Sequence, residues 1–270
     1  MSLQKKELAY LTAIFLFLIL VLSLNLRSVP TPFHEEDGGV ISRSSTKFKG
    51  KPWRTAQTIA AEQVVSTEFG ACELHSVRTE TGGIVTDWLW WDEYDQINVV
   101  VHLAASLSTQ QQQSASDENE MVATTHSTTR QGDRKFVMFR QRKYGLEGET
   151  LATVGGLVDP GEDAASAASR ELREELGLVA GRWVPLGAYR TSSNRGGGFL
   201  NAFLALDCDY AEGVTKDNFT PTNDLEKQQQ VLMTQNEVEE ALLNGEFKEV
   251  KWTATVSLAL HWLDNNNIFL

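Results

Sequence analysis

The pattern of apolar and polar positions sets the N-terminal part of the chain apart from the rest. Residues 8–26 are predominantly apolar and uncharged, with Lys5 and Lys6 before them and Arg27 after them. A helix of these nineteen residues reaches about the thickness of a hydrocarbon core. The run predicts a transmembrane signal anchor over residues 1–27, and a cleaved signal peptide or a buried helix are the alternatives.

The charges beside this apolar run give it a weak orientation. Lys5 and Lys6 outnumber Arg27, which favours an N-terminus in the cytosol and the bulk of the chain across the membrane. We therefore expect a single-pass membrane protein of the endomembrane system with its main domain in the lumen. Secretion after signal cleavage is the alternative.

The next segments have mixed composition. Residues 28–52 are rich in Ser, Gly, Pro and charge, which predicts a flexible tether. Residues 53–69 have the spacing of a short helix or an edge element. From residue 71 the pattern becomes that of strands, and Gly82 and Gly83 predict the turn of a hairpin.

Two β-branched runs, at 97–103 and 135–142, predict buried strands. The stretch between them is polar and rich in Gln, Ser and Thr. Since adjacent strands need only a few connecting residues, it predicts a disordered insertion at about residues 107–133.

The remaining pattern alternates between helices and strands. A glycine turn precedes a long helix, and further strands and helices are predicted at 183–190, 198–207, 237–243 and 252–263. Together with the hairpin, this order predicts an α/β sandwich rather than a simple parallel sheet. One domain over residues 53–270 accommodates these elements.

Composition and charge narrow the class of protein. The chain has 270 residues, is 41% hydrophobic and 22% charged, and carries a net charge of -12. These values exclude wholesale disorder and a collagen-like fibre, and the acidic balance argues against a nucleic-acid partner. It also disfavours an anionic substrate at first sight. Cys72 and Cys208 permit a disulfide without requiring one.

The long helix carries recognisable end signals. Glu162 or Asp163 can cap its first turn, and Gly177 ends it. Apolar residues at spacings of three and four predict the buried stripe, which comprises Ala165, Ala168, Leu172 and Leu176.

The opposite face of this helix is acidic. Glu171, Glu174 and Glu175 lie one turn apart, and Glu162 precedes the helix. A solvated acidic face is the usual interpretation of such a run. Beside a glycine turn, however, carboxylates and backbone carbonyls can also supply the oxygen ligands of a hard divalent cation.

These residues match the spacing of a known motif. The pattern G-x5-E-x7-R-E-[apolar]-x-E-E-x-G-[apolar] is met at every fixed position, by Gly156, Glu162, Arg170, Glu171, Leu172, Glu174, Glu175, Gly177 and Leu178. It resembles the signature box of the Nudix hydrolases. The stretches at 96–103, 135–145, 149–162 and 237–263 are similar to the ADP-ribose and ADP-sugar pyrophosphatase branch, so that the resemblance covers roughly residues 70–265.

The resemblance implies a Nudix-type α/β/α sandwich with a mixed β-sheet. It also implies metal-dependent hydrolysis of a nucleoside diphosphate derivative, most simply ADP-ribose or an ADP-sugar, into a nucleoside monophosphate and a sugar phosphate. NADH, GDP-mannose, a dinucleoside polyphosphate and coenzyme A are alternative substrates, and a non-catalytic nucleotide-binding scaffold is a further alternative. A homodimer is possible in this branch.

The resemblance also implies roles for individual residues. The Mg²⁺ or Mn²⁺ ligands would be Glu171, Glu174, Glu175 and the Gly155 carbonyl, with Glu162 completing the site and Arg170 holding the glutamates. Bound metal would then let an acidic helix attract a diphosphate.

The remaining implied roles lie outside the box. Glu237 is the candidate general base, with Glu226 and Glu240 behind it, and the alternative for each is a solvated helix charge. Arg140, Lys143 and Arg195 are candidates for contacts with substrate phosphate or ribose. A proline-containing loop found in many members of the branch is replaced here by the stretch Ser192–Gly198.

Overall fold

The longest strand, β10 (Gly196–Tyr210), organises the sheet of the computed structural model, which describes residues 47–105, 107, 135–221 and 227–266. It pairs in parallel with β4 (Gln96–Leu103) and antiparallel with β9 (Arg182–Ser192). The sheet is therefore mixed, as the resemblance implied.

The described residues contribute eleven strands and three long helices. The other strands are β1 (Thr58–Ser66), β2 (Gly70–Arg78), β3 (Ile84–Glu93), β5 (Lys135–Gln141), β6 (Thr150–Ala152), β7 (Val154–Leu157), β8 (Leu178–Val179) and β11 (Gln228–Thr234), and the helices are α1 (Ala164–Leu176), α2 (Gln235–Leu243) and α3 (Val250–Asn265). The main strand order is β1-β2-β3-β10-β4-β5-β11. Of the short strands, β6 pairs with β5, β7 with β4, and β8 with β10.

Both faces of β4 are covered. Successive side chains of a strand point to opposite faces, and every residue from Ile97 to Leu103 is buried. The helices α1 and α3 both contact β4, and they contribute Leu172, Val256 and Leu263 to the core. The result is the α/β arrangement of helices packed on a mixed sheet.

The ends of α1 follow from local chemistry. Of the two predicted caps, Asp163 acts: its Oδ1 accepts from the backbone N–H of Ala165 at 3.0 Å and of Ser166 at 3.1 Å. Gly177 ends the helix in the left-handed region with φ 68°, as predicted. This cap fixes the position of the turn that leads into the helix.

The prediction that Ala165 belongs to the buried stripe of α1 is wrong. Ala165 is exposed because it lies in the first turn, directly after the solvated cap. Ala167 is buried in its place, together with the predicted Ala168, Leu172 and Leu176.

The strands that were predicted from apolar runs or from a turn signal are present in the structure. The hairpin around Gly82 and Gly83 is β2–β3, the runs at 97–103 and 135–142 are β4 and β5, and residues 53–69 contain the edge strand β1 rather than a helix. The strand β11 was not predicted. Cys72 and Cys208 are both free, and Cys208 is buried.

Several predictions fall on residues outside those described. Within the described ranges, no helix is long and apolar enough to cross a membrane. The apolar run at 8–26 lies outside these ranges, as do nearly all of the insertion at about 107–133 and Glu226. The anchor, the insertion and the homodimer stay predictions.

The burial of Leu172 gives a test of the core. Replacing Leu172 with Ala removes a fully buried side chain between α1 and the sheet, and we expect it to lower the free energy of unfolding by about 2–5 kcal/mol. The same replacement at Leu243, which is 86% exposed on α2, serves as the control and is expected to change it by less than about 0.5 kcal/mol. Urea unfolding of both variants measures the difference, and equal effects would contradict the packing.

Candidate active site

Arg170 is the centre of the acidic cluster on α1. Its Nε and Nη2 donate to the two oxygens of Glu162 at 3.1 and 3.0 Å. Its Nη1 donates to Glu171 Oε1 at 2.7 Å and to Glu174 Oε2 at 3.2 Å, and Nη2 also reaches the Leu157 carbonyl at 3.0 Å. One guanidinium therefore joins three carboxylates and the backbone of β7.

This network shifts the proton affinities of its members. The hydrogen bonds to Glu162 are the largest cause of a raised pKa at Arg170, and the same bonds lower the pKa of Glu162. Burial raises the pKa of Glu171, despite its hydrogen bond with Arg170. The two carboxylates thus differ because Glu171 lies deeper.

A glycine lets β7 approach the cluster. A Cβ atom at Gly156 would overlap the carboxyl group of Glu171, so any other residue here requires this side chain to shift. Neighbouring Gly155 pairs with Asn98 of β4. The backbone of β7 and the carboxylate of Glu171 are thereby brought together.

The oxygen atoms of this cluster are of the kind that binds a hard divalent cation, because carboxylate and carbonyl oxygens are the ligands that Mg²⁺ and Mn²⁺ take. In the part of the chain that the structure describes, no three His, Cys, Asp or Glu side chains form a metal-binding group as they stand. In this arrangement Arg170 donates to Glu162, Glu171 and Glu174. A cation would therefore share these carboxylates with the guanidinium.

Glu175 faces a cavity of about 220 Å³, which we call the Glu175 cavity. Its lining includes Gly155 and Gly156 of β7, Lys143 after β5, and Glu249 before α3. The box glutamate and a glutamate distant in sequence thus line one space.

Glu249 was missed by the sequence analysis. It is the N-cap residue of α3, yet its side chain makes no capping hydrogen bond. Its carboxylate instead pairs with Lys251 Nζ at 2.7 Å, and both residues line the Glu175 cavity. The available signal was an acidic residue directly before a helical apolar run, which is too common to single out.

Glu237, the predicted general base, lies elsewhere. Its carboxylate accepts from the backbone N–H of Thr234 at 2.6 Å and from Thr234 Oγ1 at 2.9 Å, which completes a capping box at the start of α2. These bonds lower the pKa of Glu237. The side chain does not line the Glu175 cavity, and Glu240 is exposed on the same helix.

The three basic residues that were predicted to contact the substrate lie in different parts of the structure. Lys143 lines the Glu175 cavity. Arg140 lies 3.7 Å from the carboxylate of Glu246, and Arg195 lies in the turn between β9 and β10, where Nη1 donates to the Asn194 carbonyl at 3.2 Å. The structure brings only Lys143 of these three beside Glu175.

Comparison with known proteins agrees with this geometry. The family model described as the NUDIX domain matches residues 119–267, more than half of the chain. The chain is 28% identical over 131 residues to the ADP compounds hydrolase NudE of Escherichia coli (strain K12), which covers 48% of this chain and 67% of that protein. A solved structure described as the crystal structure of an ADP compounds hydrolase superposes with a TM-score of 0.55 at 18% identity, covering 80% of this chain and 98% of the other, and so shares the fold.

The close approach at Gly156 can be tested by a single methyl group. Gly156→Ala should push Glu171 away from Arg170 and lower the free energy of unfolding by about 1–3 kcal/mol, as overpacking does elsewhere. Gly145→Ala is the matched control, since a Cβ there meets no atom within 4 Å. Chemical denaturation compares the two, and equal stabilities would show that Glu171 moves away at no cost.

Proposed function

This chain belongs to the Nudix family and is a Nudix hydrolase, and on that premise we propose that its substrate is ADP-ribose or an ADP-sugar. Hydrolysis of the diphosphate linkage would release AMP and a sugar phosphate. The observation that carries the proposal is the glutamate cluster held by Arg170 beside the glycines of β7. The relatives described as ADP compounds hydrolases support an adenosine diphosphate substrate.

The proposal includes a divalent cation site. Glu171, Glu174 and Glu175 would hold Mg²⁺ or Mn²⁺ with the Gly155 carbonyl, and Glu162 would complete the site. When bound, such a cation supplies charge neutralisation at phosphate oxygens and lowers the pKa of water. The residues of the chain supply the positioning: Arg170 keeps the carboxylates of α1 and of the turn before it together.

A general base must lie within reach of the attacking water. Glu249 meets this condition better than Glu237, since it shares the Glu175 cavity whereas the carboxylate of Glu237 is used by the cap of α2. In the proposed step, a water oxygen bonds to one phosphorus, the bond from that phosphorus to the bridging oxygen breaks, and Glu249 takes the water proton. Lys251 holds Glu249 in place.

The charge of the Glu175 cavity also suits a diphosphate once the glutamates are neutralised. Lys143 and Lys251 both line it and can donate to phosphate oxygens. Arg140 and Arg195 lie outside its lining, and their contacts with substrate stay predictions.

A substrate panel with product identification tests the proposed function. We expect the full-length chain with Mg²⁺ to convert ADP-ribose and ADP-glucose to AMP, faster than it acts on NADH, GDP-mannose, a dinucleoside polyphosphate or coenzyme A, and to stop when EDTA is added. Glu175→Gln should lower the rate at least ~100-fold without unfolding the protein. If the chain prefers another member of the panel, the proposed substrate class is wrong. If Glu175→Gln leaves the rate unchanged, the proposed metal ligands are wrong.

The choice between two glutamates has its own test. Glu249→Gln should lower kcat by about 10²–10⁴-fold, the range expected for loss of a general base. Glu237→Gln should leave kcat within a fewfold and lower the stability by about 1 kcal/mol, because it weakens a helix cap. The reverse pattern would restore Glu237 as the base.

A further inference from the structure

A second cavity, which we call the Arg190 cavity, lies beside the candidate active site. It measures about 530 Å³ and is lined by the segment before β1, which includes Trp53, by Arg190 of β9 and by Phe199 of β10. The turn from Val158 to Glu162 forms another part of its wall. This volume lies within the range of small-molecule sites, about 300–1,000 Å³.

Arg190 is held between aromatic rings. Its guanidinium carbon lies 4.3 Å from the ring centroid of Trp53 and 4.1 Å from that of Phe199. One terminal nitrogen, Nη1, donates to the Gly197 carbonyl. The other, Nη2, is buried and has no hydrogen-bond partner within the described ranges.

An unsatisfied acceptor lines the same cavity. Asp92 is 3% exposed, and its Oδ1 accepts from Trp90 Nε1 at 2.9 Å and from the Trp53 backbone N–H at 3.0 Å. Its Oδ2 has no hydrogen-bond partner among the described residues, although it lies 3.8 Å from Arg54 Nη1. Buried polar atoms without partners are uncommon, and a ligand is one of the physical reasons for them.

The charges of the cavity distinguish between ligand classes. Its lining carries the cations Lys49, Lys51, Arg54 and Arg190 and the carboxylates Asp92, Glu93, Asp95, Asp159 and Glu162. This mixture does not favour a simple anion. Aromatic walls with one donor and one acceptor edge suit a neutral ring system that offers both a hydrogen-bond acceptor and an amine, as adenine does.

We infer that the Arg190 cavity binds the purine base of the substrate, with Arg190 donating to a ring nitrogen and Asp92 accepting from the exocyclic amine. The link to a substrate rests on the proposed function. Glu162 belongs both to this wall and to the Arg170 cluster, so that a diphosphate at the glutamates extends its nucleoside toward Trp53. Arg190 Nη2 and Asp92 Oδ2 are both buried, so binding of the base requires Trp53, which lies on a segment without regular structure, to move away from Arg190.

Calorimetric titration with AMP tests this site without catalysis. In EDTA, the full-length chain should bind AMP more tightly than UMP, whose base lacks the amine. Arg190→Ala should weaken AMP binding by about ten- to a hundredfold and remove the preference over UMP, as loss of a charged hydrogen bond does. Arg182→Ala is the matched control: Arg182 belongs to the same strand and lies 5.3 Å from the Trp262 ring centroid, outside the lining of the cavity.

The outcomes separate the two proposals. Equal AMP affinity in Arg190→Ala and Arg182→Ala, or equal binding of AMP and UMP by the unmodified chain, overturns the base site. A different result would refute the proposed function and keep the base site: the chain binds AMP through Arg190 but hydrolyses no member of the substrate panel. Thermal melting checks folding. If Arg190→Ala does not fold, Arg190→Lys, which keeps the charge but loses the planar donor edge, is judged on the same criterion.

Discussion

The ion-pair network of Arg170 is the interaction on which the rest of the site depends. Three carboxylates on one helix and its preceding turn repel each other, and burial adds to the cost of ionising Glu171. A planar guanidinium with several donors in fixed directions can join them all, whereas a lysine ammonium could not reach them in the same way. Because Nη2 also contacts the Leu157 carbonyl, the same residue ties the helix to β7. The guanidinium therefore holds the acidic cluster together by itself, and the proposed cation would share these carboxylates with it.

The sheet determines which distant residues join this cluster. The central pair β4–β10 is parallel, and β4 also pairs antiparallel with β7, which places Gly156 of β7 against Glu171 of α1. The C-terminal helix α3 packs on β4 and β10, and the residue at its start, Glu249, thereby lines the cavity next to Glu175. On the other side, β9 and β10 bring Arg190 and Phe199 to the turn before α1. One cavity thus adjoins α1 and the other adjoins the turn before it, and each takes its chemistry from a different part of the chain.

Local rules made the helix and most strands predictable, and the absence of such rules explains the errors. Asp163 and Gly177 act within one turn of their partners, so the sequence alone indicated both ends of α1. The strand β11 reads QQQVLMT and is mostly polar, because it lies at the end of the main strand order and buries little. Glu237 illustrates an ambiguous signal: a threonine three residues before a glutamate is a capping-box pattern, and the structure uses it so. The Arg190 cavity joins residues far apart in sequence, and no spacing rule relates them.

The close approach at Gly156 has a consequence for how the sequence can change. At this position every missense substitution adds at least a Cβ, and that atom falls on the Glu171 carboxyl group. Gly145, in the turn after β5, has open space around its missing side chain. Two glycines that look alike in the sequence therefore differ in how well they tolerate substitution. A substitution at Gly156 requires the Glu171 side chain to move, whereas one at Gly145 does not.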